Sequence, residues 1–180
     1  MINTERSWSA TIRLDEVGEV GRHVELEASE AVRAALAKPA GVDAIERLVA
    51  RFDLTRRGRD RLHVSGVVSG TVRQSCVVTL DPVMNDVNEL IDLTFAPPRE
   101  PMDDTAAMDL DAAASGDEVE PLIGNAVDLG LIATEFFTLG INPYPRKPGA
   151  SFEAPKPGSD PESHPFARLA ALQKNSTVKK

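Results

Sequence analysis

The longest regular pattern in the chain runs from Leu62 to Leu80. Leu62, Val64, Gly66, Val68, Gly70, Val72, Gln74, Cys76, Val78 and Leu80 share one parity, and His63, Ser65, Val67, Ser69, Thr71, Arg73, Ser75, Val77 and Thr79 fall on the other. A period of two is the signature of a half-buried strand. Drawn straight at about 3.3 Å per residue, the run would extend roughly 60 Å, too long for one flat strand in a small domain. Gly66 and Gly70 are therefore read as a bend, a bulge or the joint between two strands. Asp81 and Pro82 end the run, and Val87, Ile91, Leu93 and Phe95 outline another strand.

Upstream, VDAIERLVARFDL supports two readings. Asp43 with Glu46 resembles a capping box, with Ile45, Leu48, Val49 and Phe52 at helical spacing. Against this, Leu48, Ala50, Phe52 and Leu54 alternate with Arg47, Val49, Arg51 and Asp53 and lead into the turn-like TRRGRDR. A strand over about 47–55 is preferred, because the second alternating run begins directly after the turn and a hairpin explains both halves. Trp8 to Leu14 and Val24 to Ala28 also alternate and predict two short strands. Ser29 then caps a helix over about 30–38, ended by Pro39 and Gly41.

From Ala96 to Glu118 periodicity gives way to prolines, small residues and acids, predicting a mobile acidic loop over about 97–118. Asp128 caps a second helix in which Leu129, Ile132, Ala133, Phe136 and Leu139 share a face and Gly140 stops the run. Burial of its large side chains, at about 1.5–3 kcal/mol each, predicts that it docks on the sheet. Beyond Ala150 the composition predicts a disordered tail, with a short helix around Phe166 to Gln173 as its one candidate element. The expected fold is α+β: an antiparallel, partly barrel-like sheet flanked by two or three helices. One domain is expected over 1–150, followed by the tail over 151–180.

A length of 180 residues suits one domain. The single cysteine excludes an internal disulfide, and the start of the chain has no apolar stretch of signal-peptide length. With every apolar run interrupted, a cytoplasmic protein without a membrane span is expected. The net charge of −8 argues against a simple nucleic-acid binder, and no DNA partner is expected. That average conceals an asymmetry. Arg47, Arg51, Arg56, Arg57, Arg59 and Arg61 face only Asp53 and Asp60. The stretch from Asp81 to Glu135 is almost purely acidic, with Arg99 its one base, and the chain from Arg146 onward is basic again.

Each candidate chemistry has a structural alternative. Cys76, His23, His63 and His164 are too scattered for a four-ligand zinc site, so neither metal nor other cofactor is expected. Cys76 has no evident base or cleft, and its parity predicts a buried thiol acting as a small hydrophobe. The Gly66–Gly70 pair lacks the lysine and the strand-to-helix transition of a phosphate loop. The acidic stretch, which includes Asp103, Asp104, Asp109, Asp111, Asp117, Glu118 and Glu120, is either a solvated linker or a contact surface for a basic partner. Arg47 and Arg51 on a strand face and Arg56, Arg57, Arg59 and Arg61 at the hairpin tip either neutralise phosphates or merely keep a sheet end soluble.

Two segments carry a likeness. CVVTLDPV at 76–83, with Cys76, Leu80, Asp81 and Pro82, is followed by DLGLIATEFFTLGINPYPRKPGASF at 128–152. The second segment contains Asp128, Leu129, Pro143, Tyr144, Pro145, Pro148 and Gly149. In this order and spacing the pair resembles the YceD family, the large ribosomal RNA subunit accumulation proteins, over roughly 7–152. The resemblance implies a non-enzymatic bacterial factor in ribosome biogenesis, supporting accumulation or processing of 23S ribosomal RNA. Its partners would be that RNA or a large-subunit precursor. The alternative is an adaptor or chaperone for a basic ribosomal protein, engaged through the acidic loop.

Many relatives pair two cysteines as C-x-x-C here and carry more after the last helix, a zinc-like arrangement. In this chain Thr79 takes the second cysteine's place and NPYPRKPGASF has none. Packing of the prolines and a buried Tyr144 ring is expected in place of metal. Arg146 and Lys147 then either meet phosphate or cap the carbonyls ending the last helix.

Overall fold

The computed structural model describes residues 8–98 and 119–153. The chain divides into two units, 1–150 and 151–180, and the fold below is that of the first. The short helix expected near 166–173 and the acidic stretch 99–118 lie outside the described residues. The strands are β1 (Thr11–Arg13), β2 (Arg22–Glu27), β3 (Ala44–Arg57), β4 (Arg61–Ser75), β5 (Pro82–Ala96), β6 (Val119–Pro121) and β7 (Ala126–Asp128). The helices are α1 (Glu30–Ala37), between β2 and β3, and α2 (Leu129–Leu139), after β7.

Five strands form one sheet in the order β2-β3-β4-β5-β6, while β1 and β7 form a separate antiparallel ribbon. The pairs from β2 to β5 are antiparallel. The fold is thus α+β as expected, but the sheet is open rather than partly barrel-like, with β2 at one edge and the three-residue β6 at the other. A covering layer removes the need for closure. Helix α1 packs on β3, α2 packs on β4 and β5, and Trp8, Ile12, Leu14 and Val17 complete the same core. The purely antiparallel expectation fails at β6, which runs parallel to β5. Parallel neighbours need a connection of a dozen or more residues, and residues 97–118 are enough.

The alternation from Leu62 is a single strand through Ser75. Leu62, Val64, Val68 and Val72 are fully buried on its inner face. Its glycines mark neither a joint nor a bulge on this strand, and both are points of close approach. A Cβ on Gly66 would strike the Arg51 carbonyl and the Phe52 main chain. A Cβ on Gly70 would strike the Arg47 carbonyl and lie 2.7 Å from Cε2 of Phe137. The bulge lies instead on β3, where Ile45 pairs with Val72 but Arg47 pairs with Thr71, leaving Glu46 as the extra residue. That insertion puts Ile45 and Leu48, three apart, on the same buried face. It therefore reproduces locally the spacing that also read as a helix.

Two other expectations change. The inward parity stops at Cys76, and Leu80 is exposed with φ 62°, because the chain turns there from β4 into β5. On α2, Leu129, Ile132, Ala133 and Phe137 are buried, whereas Phe136 is half-buried and Leu139 is exposed. The aromatic that enters the core is the one that fits against Gly70.

The Gly70 contact admits a direct check. Gly70→Ala should lower stability by about 3 kcal/mol, since overpacking usually costs 1–3 kcal/mol and here opposes main chain as well as a ring. Urea unfolding measures this, and a change below about 0.5 kcal/mol would contradict the close approach.

Candidate functional site

Register places the arginines of the hairpin. β3 and β4 remain paired out to Arg57 opposite Arg61. The last β3 residue paired with β2 is Leu54, and the last β4 residue paired with β5 is Leu62. Beyond Leu54 the hairpin continues past β2 for Thr55 to Arg57, whereas β5 runs to Ala96, level with Arg61, so the turn 58–60 is what extends beyond both neighbours. Gly58, at φ 74°, closes its turn, and Arg56 Nη2 donates to the Arg59 carbonyl at 3.2 Å. Arg56, Arg57 and Arg59 are exposed and Arg61 is partly exposed, with Asp60 the one acid within the turn.

Arg47 and Arg51 do not join this cluster. Both are exposed on the outer sheet face, and Arg51 lies roughly 20 Å of strand from Arg57. Its Nε and Nη2 each lie 3.0 Å from Glu25 Oε1, so its charge is already matched. Arg146 and Lys147 are farther still. Their segment docks beside Cys76, just past the far end of β4, roughly 45 Å of strand from Arg61. The sequence-predicted cationic residues therefore form two separate surfaces. Lys147 Nζ pairs with Asp81 Oδ2 at 3.0 Å, which neither sequence alternative for Lys147 included. That pairing holds the Asp81 carboxyl below its ordinary pKa, chiefly through the Lys147 hydrogen bond and then through Thr79.

Cys76 organises this end of the sheet. Its sulfur, fully buried, accepts main-chain N–H groups from Lys147 at 3.3 Å, Thr79 at 3.4 Å and Val78 at 3.5 Å. The Val77 N–H reaches the Pro145 carbonyl at 2.9 Å, and buried Gln74 bonds Asn142 and Asn85. The thiol pKa is lowered to about 6, first by the Lys147 N–H, then by the Thr79 side chain and the Thr79 and Val78 main chain, against the opposing effect of burial. The expectation of a merely hydrophobic cysteine is corrected: the group is buried, but it acts as an acceptor. Tyr144 is also corrected, since its ring is 73% exposed and Pro145 is the buried residue of the segment. Pro143, Pro148 and Gly149 are exposed, and Gly149 turns the chain with φ 80°.

A zinc ion does not fit this arrangement. Thr79 supplies no thiolate beside Cys76. Among the described residues no three His, Cys, Asp or Glu side chains converge.

Asp128 fixes the other junction. Its Oδ1 accepts N–H groups from Gly130 at 3.0 Å, Leu131 at 3.2 Å and Ala10 at 2.9 Å, and its Oδ2 accepts the Ser9 hydroxyl at 2.6 Å. Burial pushes its pKa up, but these hydrogen bonds outweigh it and hold the group ionised below the usual range. Leu129, next in the chain, is fully buried. One carboxylate thus caps α2 and ties it to the N-terminal segment.

Sequence reasoning missed a second feature, an open groove of about 480 Å³ between α2 and the β5–β6 edge. Its walls include Leu93, Phe95, Ile123, Leu131, Phe136 and Leu139, and Glu120 and Glu135 line it too. The signal was the surplus of large apolar residues on α2, more than one buried face can hold.

An α+β domain that presents a cationic hairpin and an apolar groove with acids in its lining has the surfaces of a macromolecule-binding module. A family profile described as Large ribosomal RNA subunit accumulation protein YceD matches residues 64–173, and the chain belongs to that family. The match begins within β4, later than the resemblance over 7–152 suggested, and continues past Phe152. No curated protein and no solved structure matches the chain. Among the described residues no helix is long and apolar enough to cross a membrane.

The thiolate arrangement predicts a pH dependence. An unfolded thiol ionises near pH 8.5, so a folded pKa of about 6 adds stability that is fully present above the unfolded value and lost as pH falls through 6. Relative to Cys76→Ser, wild-type stability should therefore rise from about pH 6 to about pH 8.5. With one cysteine in the chain, ultraviolet thiolate absorbance reads the titration directly. A folded-state midpoint near 8.5 would contradict the assignment.

Proposed function

We propose that this protein supports accumulation of large-subunit ribosomal RNA by binding that RNA, or a precursor particle containing it, through the tip of the β3–β4 hairpin. The observation that carries the reading is geometric. Arg56, Arg57, Arg59 and Arg61 surround one glycine turn at the end of a hairpin that continues past the last β2 pairing, with the turn itself beyond the end of β5. Guanidinium groups so placed are exposed at the end of the hairpin, where they can reach phosphates. Gln74, Cys76 and Asp81, all hydrogen-bonded within the fold, serve structure in this reading, and no covalent chemistry is assigned to them. Arg146, exposed at the opposite end of the sheet, forms a separate and weaker candidate contact.

Binding to large-subunit RNA precursor fragments across a salt series tests the proposal. The wild type should bind at low salt, and its slope of log affinity against log salt should flatten by about 3 when the four tip arginines become alanine, at roughly 0.7–0.9 per lost phosphate contact. Arg51→Ala should have little effect on the slope, because Glu25 already neutralises that side chain. Undetectable wild-type binding at low salt would remove direct RNA recognition. Tight binding unchanged by the fourfold substitution would remove the hairpin tip as its site.

A further inference from the structure

The groove beside α2 follows from an excess of apolar side chains in a short helix. Leu129, Ile132, Ala133 and Phe137 take the core face, so Leu131 and Leu139 are left outside at 62% and 76% exposure. Leu131 and Leu139, eight residues apart, lie along one side of the helix, with Glu135 between them. Ile123, 75% exposed, faces the same groove from the turn that follows β6. Side chains of this kind, gathered along one groove, mark an interaction surface rather than the scattered apolar exposure that any protein shows.

Charge selects the occupant. The lining carries Glu120, Asp128 and Glu135 and no lysine, arginine or histidine. Asp128 is held ionised by its own hydrogen bonds. Nearly all the lining residues belong to the stretch from Asp81 to Glu135, whose only basic residue is Arg99. A nucleic acid would be repelled here. A cationic partner would be drawn in, and its apolar side chains would find the groove floor.

Shape selects among cationic partners. The span from Leu131 to Leu139 extends roughly 12 Å along the helix axis, about two helical turns. An amphipathic helix engages a groove of that length through apolar anchors at i, i+3 or i+4, and i+7, with its charged flanks against the acids of the lining. We propose that this groove binds an amphipathic, lysine- and arginine-rich α-helix of a basic partner protein. Leu131, Leu139 and Ile123 contact its apolar face, and Glu120 and Glu135 pair with its flanking cations. The assignment concerns a different surface from the arginine tip and holds whether or not that tip binds RNA.

The test uses full-length protein, no RNA, and a labelled synthetic helical peptide with leucines on one face and lysines and arginines on the other. A second peptide has the same composition permuted so that no face forms. Fluorescence anisotropy should show the amphipathic peptide binding at least roughly 10-fold more tightly than the permuted one. Leu131→Ser with Leu139→Ser should weaken it by a similar factor, as loss of central anchors does. Both sites are exposed, so thermal unfolding should confirm an intact fold. Glu120→Lys with Glu135→Lys should weaken binding and flatten its salt dependence.

Equal binding of both peptides would reduce the effect to bulk charge and overturn the proposal. Insensitivity to the leucine substitutions would overturn it as well. Self-association of the wild type that is abolished by those same substitutions would assign the groove to a second copy of the chain instead.

Discussion

The fold depends on the central strand β4 being approached from three directions at once. It is hydrogen-bonded to β3 and β5 along its two edges, and its inner face receives α2. Two glycines make this possible. Gly66 lets the β3 main chain and Phe52 come close, and Gly70 admits the Phe137 ring. A side chain at either position would push β3 or α2 away, and the buried valines between them would lose their cover. The same seating of Phe137 turns Leu131 and Leu139 outward, so the groove is a by-product of how the core is packed.

How legible each part was depended on its locality. The inner parity of β4 and the turn-like TRRGRDR could be read directly because a period of two and a turn are local features. The Asp128 cap was legible for the same reason. The end of β4 was not, because Val78 and Leu80 continue the alternation after the chain has already turned. The Glu46 bulge was hidden because it gives a strand the spacing of a helix. Which aromatic of the Phe136–Phe137 pair entered the core depended on a glycine in another element. Among the functional surfaces, the hairpin tip was visible in one contiguous stretch. Its separation from Arg146 and Lys147 required the topology, and the groove is assembled from segments between Leu93 and Leu139 that only the folded chain brings together.

Cys76 holds a junction through hydrogen bonds to its sulfur. Three N–H groups converge on its sulfur, one of them from the segment that follows α2. Lys147 then pairs with Asp81 across the same junction. The post-helix segment is thereby fastened by hydrogen bonds and an ion pair where a C-x-x-C sequence would supply ligands, and Pro145 adds the buried contact.

The charge pattern now has a spatial meaning. Phe95, which lines the groove, pairs with Leu62, and Leu62 leads directly to the arginine tip. A cationic projection and a groove lined with acids thus share one end of the sheet. The central claim is that the hairpin tip serves accumulation of the large ribosomal RNA. The most direct measurement is the ratio of mature large- to small-subunit ribosomal RNA in cells whose only copy of this protein has Arg56, Arg57, Arg59 and Arg61 changed to alanine, at matched protein level. The account predicts a ratio lowered toward that of cells lacking the protein. A ratio equal to wild type would contradict it.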